Sequence, residues 1–161
     1  MDQGLQQIYD MVKASRVMLF VYLESMPLEL YTREHPDVSW GSIRNIHLHV
    51  ADTYEYWTGE AGLKIIALER GPITVPDVAA MHSVFANFDK VIEKALEADD
   101  LDKVFTFNRD PRPPLKVTLR WLIMHPVTHE FHHKGQIVTL GRMLGHPVPA
   151  GTDLDLVLPD Y

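Results

Sequence analysis

The 161-residue chain is 46% hydrophobic and 23% charged, a length and composition expected of one globular domain, residues 1–161, with its own core. A formal net charge of −7 offers no basic surface to neutralise phosphates, which argues against a nucleic-acid partner. The absence of cysteine removes disulfide frameworks and thiolate metal sites alike, and the expected compartment is a reducing cytoplasm.

Residues 5–23 read as a first helix, with Ile8, Met11, Val12, Leu19 and Leu23 at helical spacing. The apolar run at 17–23 is too short to span a bilayer, and Asp2, Asp10, Lys13 and Arg16 precede it. It therefore predicts the middle of a buried helix, with no signal peptide and no membrane partner. Pro27 and Pro36 mark a loop.

Ser39 or Ser42 can cap a second helix reaching Gly59 or Leu63, whose apolar stripe is Ile43, Ile46, Val50, Tyr54 and Trp57. Gly71-Pro72 and Val75-Pro76 punctuate a connection in which Ile65, Ile66 and Leu68 have no clear place. A third helix begins near Asp77, with a carboxylate in its first turn, and ends at Asp99-Asp100. Residues 104–107 alternate as a short strand does and can pair with residues 115–117 across the stiff loop Asp110-Pro111-Arg112-Pro113-Pro114. A fourth helix starts at Thr118 and stops near Leu144, before Gly145 and Pro147, with Pro126 inside it expected to kink it near Leu122. The tail from 147 is irregular. Four amphipathic helices with almost no strand predict an all-α four-helix bundle with irregular loops and a C-terminal tail.

The fourth helix carries the chemistry. His125, His129, His132 and His133 fall within nine residues, and His129 and His133 stand four apart, stacked on one helical face. Two stacked imidazoles can close on one borderline-soft cation such as Zn²⁺ or Ni²⁺. Bundles build such sites between facing helices, and the second helix offers His47 and His49 as a third ligand. These two point roughly 200° apart, so only one can face the metal, and each lies roughly 70–90° from the apolar stripe. Helical geometry leaves the choice open. His125 shares the face of His129 and can touch a ligand or substrate, or simply pack. His132 points to solvent, and His35, His82 and His146 stand alone. Gly135, in a helix interior, is read as a close helix–helix approach, and Asp52 or Glu55 as a partner that orients a ligating imidazole.

His49-Val50-Ala51-Asp52-Thr53-Tyr54-Glu55-Tyr56-Trp57, followed some eighty residues later by His125-x-x-x-His129-x-x-x-His133-Lys134-Gly135-Gln136-Ile137, resembles the DinB superfamily, also described as DinB/YfiT-like metalloenzymes. The resemblance covers nearly the whole chain in helix order, and the Gly-Gln after the last histidine is its most specific part. It implies a four-helix bundle and a divalent metal, often nickel or zinc, held by His49, His129 and His133, with open positions taken by water. It also implies a homodimer. Relatives look like metal-dependent hydrolases, or like transferases that move a low-molecular-weight bacterial thiol onto an electrophile, so a small-molecule substrate is expected. Tyr54, Trp57 and Trp121 are the aromatic residues expected to line its pocket.

His129-Glu130-Phe131-His132-His133 also spells His-Glu-x-x-His, the zincin signature in which the glutamate is a general base. No glutamate follows Glu130, and Thr139 stands where a metzincin histidine would. Gly151-Thr152-Asp153-Leu154-Asp155 leaves one aspartate-ligated variant of that reading open. The remaining alternative is a metal-binding bundle without catalysis.

Overall fold

Residues 2–65, 74–152 and 154–156 are described by a computed structural model of the chain. Helix α1 (Gln3–Glu24) opens on Asp2, whose carboxylate accepts the Leu5 N–H at 3.0 Å. Where the sequence suggests only a loop, Pro27 starts a short helix, α2 (Leu28–Thr32), that buries Tyr31. Ser42, rather than Ser39, caps α3 (Ile43–Tyr54) by accepting the Asn45 N–H at 3.2 Å. The chain then widens without a break into a π-helical stretch, Glu55–Leu63, which Lys64 ends in the left-handed conformation at φ 61°.

Asp77 caps α4 (Val78–Leu96) through the Ala80 N–H, standing just before the first turn instead of within it. A hairpin of β1 (Phe105–Arg109) and β2 (Arg112–Val117) pairs Phe105 with Val117 and Phe107 with Leu115. Thr118 caps the last helix, α5 (Leu119–Met143). Ile66, Leu68, Gly71, Pro72 and Asp153 lie outside the described residues. Among those described, no helix is long and apolar enough to cross a membrane.

The four long helices bury two apolar clusters. One joins Tyr9, Tyr54, Phe85, Phe88, Ile92 and Leu122 with the inner face of the hairpin. The other joins Leu19, Leu23, Tyr31, Ile43, Ile46, Ile137 and Leu140. A charged group bridges the helices within this core. Arg16 and Glu130, each 3% exposed, form a bidentate pair with both N···O distances 2.9 Å. Tyr54 donates to the same carboxylate at 2.6 Å, and Arg16 also bonds Asp89 at 2.7 Å. Burial opposes the Arg16 charge, but Glu130 outweighs it and raises the guanidinium above its ordinary range.

One residue of α5 works differently from what the sequence suggests. Gly135 makes no close approach, since an added Cβ would meet nothing within 4 Å; its face is open. Gly141 is the intimate contact, because a Cβ there would strike the Tyr22 hydroxyl. Pro126 sits inside the helix, which continues through it. Proline cannot supply the N–H that the Leu122 carbonyl would otherwise receive. The fully buried Thr58 hydroxyl of the π-helical stretch donates to that carbonyl at 2.9 Å instead. Thr58→Val keeps the shape and removes the donor, so it should destabilise the fold by about 1–3 kcal/mol, read as a lower urea midpoint at unchanged slope.

Candidate metal centre

Because α3 lies along α5, His49 meets the stacked pair His129 and His133. The Nε2 atom of His129 is 2.9 Å from that of His49 and 2.9 Å from that of His133. The three donor atoms lie within 4.8 Å of one another; His49 and His129 are half-buried and His133 is buried. A neutral imidazole nitrogen carries one proton or one lone pair, so His129 Nε2 can serve both neighbours only by splitting it. A cation shared by three inward lone pairs removes that conflict, and the all-imidazole donor set suits a divalent transition metal. The cluster could therefore hold such an ion.

His47 goes elsewhere. It is 1% exposed and packs against Phe20 and Phe85, with ring centroids at 5.0 and 4.9 Å. Its Nδ1 lies 3.4 Å from the Tyr31 hydroxyl, and burial lowers its pKa to about 3. The side chain is therefore a neutral core residue.

Gln136 supplies an orientation that the sequence did not assign. His133 Nδ1 donates to its amide oxygen at 2.6 Å, which leaves the Nε2 lone pair of His133 aimed at the cluster. Gln136→Leu should weaken Zn²⁺ binding roughly 10–100-fold in a chelator competition, with the helical signal unchanged. Trp40 is the other unassigned partner. Its indole stacks on His49 at 3.9 Å and 17°, and its backbone takes φ 70°, a rare conformation for a bulky residue.

Burial, and then the charge of His133, lowers His49 to about 4; burial and the neighbouring histidines do the same for His129. Burial also lowers His133, against the upward pull of Gln136. All three histidines are thereby biased toward the neutral form, the form a metal requires, and His49 and His129 hold it well below the ordinary imidazole range. Bound metal should be retained from pH 7 down past 6.5 and released only as pH falls to about 4 or lower, measured as metal content after dialysis. In metal-free protein the unfolded state protonates His49 and His129 from about pH 6.5 downward and the folded state only near 4, so stability should fall as pH drops across that window.

His125, one turn before His129, stacks on Trp121 at 4.7 Å and meets the edge of Trp57 at 4.8 Å. His132 is exposed, as expected, and its Nε2 lies 3.3 Å from the Gln136 amide nitrogen. His82 stacks on Phe20 and pairs with Glu24, His35 accepts the Asp37 N–H, and His146 contacts Ser25. Tyr54 does not line a pocket, because it is fully buried against Glu130. Beside the cluster, an open cleft of about 520 Å³ runs between the loop at Val38 and the α5 residues His132, Gln136, Thr139 and Met143.

The zincin reading loses its base. Glu130 is engaged in the core by Arg16 and Tyr54, while His49 completes the histidine cluster. Asp155 is not part of that cluster; its backbone carbonyl accepts from Ser15.

The model of the DinB family matches residues 1–157. No curated protein matches the chain.

Proposed function

The chain belongs to the DinB family, and on that premise we propose that it is a metal-dependent enzyme acting on a small molecule, with His49, His129 and His133 as the ligands of a zinc or nickel ion. The observation that carries the reading is the convergence of three Nε2 atoms, 2.9 Å apart pairwise about His129, on a half-exposed face. An ion held there by three neutral imidazoles keeps its full charge and acidifies a coordinating thiol or water.

The chain's own residues then divide the remaining work. Gln136 fixes the tautomer of His133, and Trp40 lies flat against His49. His125, which burial keeps below the usual imidazole range, presents a neutral base one helical turn from His129. With a thiol as nucleophile, the sulfur gives its proton to neutral His125, a carbon–sulfur bond forms, and the leaving group departs with its electron pair. With water in its place, the same site hydrolyses an ester or amide.

The test uses metal-loaded protein in two assays: conjugation of glutathione to 1-chloro-2,4-dinitrobenzene, and hydrolysis of 4-nitrophenyl acetate. Metal-dependent turnover in either, lost in His49→Ala, supports the reading and chooses between transfer and hydrolysis. Stoichiometric metal without turnover in both would leave a binding bundle and defeat the enzyme.

A further inference from the structure

Neither the core nor the backbone explains a tryptophan at position 40. The residue is 52% exposed and belongs to neither apolar cluster. Its backbone stands at φ 70°, a left-handed conformation that costs stability at a bulky side chain. The turn around it is nevertheless pinned. The His35 N–H donates to the Gly41 carbonyl at 2.6 Å, and the Gly41 N–H donates to the Val38 carbonyl at 3.0 Å. The Trp40 carbonyl accepts from the Ser42 N–H at 3.0 Å and from the Asn45 side-chain amide at 2.9 Å. Ser42 caps α3, so the turn and the helix that carries His49 form one hydrogen-bonded unit.

This turn lays the indole flat on the His49 ring, with centroids 3.9 Å apart and planes at 17°. The other two histidines meet the same ring edge-on, His129 at 72° and His133 at 88°. Such an orientation needs a cause, because rotation about the Cβ–Cγ bond of histidine is soft. A hydrogen bond to the second ring nitrogen is the usual one, and Gln136 supplies it to His133. His49 lacks that support. Among the described residues its ring makes one hydrogen-bond contact, from Nε2 to His129. Turning the ring about Cβ–Cγ would break the stack on the indole and carry Nε2 away from the cluster.

We propose that Trp40 is the positioning residue of His49, holding its ring by stacking where a hydrogen bond holds His133, and that the left-handed turn is kept to place the indole there. The consequence for an ion rests on the metal-centre reading above; the hold on the ring does not. Exposure and backbone strain at Trp40 are then stability exchanged for a ligand oriented before binding.

Trp40→Asn and Trp40→Phe separate the ring from the backbone. Asparagine tolerates the left-handed conformation and removes the ring, whereas phenylalanine keeps both a ring and the strain. Zn²⁺ affinity, read by chelator competition, should fall about tenfold or more in Trp40→Asn and stay within about threefold of wild type in Trp40→Phe. The urea midpoint of metal-free Trp40→Asn should equal or exceed that of wild type, opposite to the loss of a structural residue. Proton–carbon NMR of the histidine rings gives a readout independent of metal. The indole ring current should displace the His49 ring protons upfield in wild type, and the displacement should vanish in Trp40→Asn. Unchanged zinc affinity in Trp40→Asn, a lowered midpoint in that variant, or no upfield displacement in wild type would overturn the proposal. If no form of the protein takes up zinc, the metal reading falls, while a displacement lost in Trp40→Asn and kept in Trp40→Phe sustains the hold on His49. Zinc bound with equal affinity by all three proteins does the reverse, sparing the metal centre and removing Trp40 from it.

Discussion

Alanine in place of His129 should cost the protein its metal, lowering Zn²⁺ affinity by more than about 100-fold, beyond the roughly 10–100-fold typical of losing a partner behind a ligand. The position matters because His129 Nε2 is the atom that contacts both of the others. Removing it leaves two donors, one on each helix, where the centre needs three. The fold should survive, because His129 is half-buried and belongs to neither apolar cluster. Thermal unfolding separates the two effects. Wild-type protein at a metal concentration 1,000 times its Kd should gain about 4 kcal/mol, and the variant should show almost none of that gain at the same concentration. His82→Ala, which alters a histidine paired with Glu24 away from the cluster, should behave as wild type. A His129→Ala protein that retains full metal occupancy would end the three-histidine assignment.

The second large effect lies in the core. Arg16→Met should destabilise the protein by about 3–5 kcal/mol, because it strands the Glu130 carboxylate without its partner at 3% exposure. Tyr54 can still donate to that carboxylate, but one neutral donor does not replace a bidentate guanidinium. Replacing both members with methionine should recover much of the loss, since apolar packing of similar volume removes the stranded charge. Urea titrations of the two single variants and the double variant give the coupling directly. Metal uptake by the double variant is a separate readout: weaker affinity is expected, because Glu130→Met also removes the bond that ties Tyr54 on α3 to α5 beside His129. If the double variant is no more stable than Arg16→Met, the pair is not the source of the effect.

Most of the helical frame was legible because its apolar residues recur at the helical period and its caps are side chains with known roles. Asp77 and Thr118 mark their helices in the sequence as they do in the structure. The π-helical stretch was not legible, since one extra residue per turn leaves no distinct pattern over nine positions. The short helix after Pro27 was hidden for the same reason of length.

At the candidate centre, His129 and His133 announced themselves by spacing, whereas His47 and His49 could not be separated by an ideal helix. What separates them is tertiary: Phe20 and Phe85 enclose one, and α5 faces the other. Trp40 left no signal, because its role depends on a left-handed turn that sequence pattern does not report. Glu130 did leave one. It occupies the middle of the buried stripe Ile123, Val127, Glu130 and Ile137, where a charge demands a partner, but the partner lies 114 residues away.

That buried bond network has a geometric corollary. Tyr54 on α3 is tied to Glu130 on α5, and Glu130 is the immediate neighbour of His129 in the chain. A helix that slipped along its axis by a single residue would shift its side chains by about 1.5 Å and turn them by about 100°. Such a slip would break the Tyr54–Glu130 bond and pull His49 out of line with His129 together. The tyrosine–carboxylate tie therefore acts as an alignment pin. It sets the axial phase of α3 against α5 and so hands the histidines a fixed mutual position before any ion arrives.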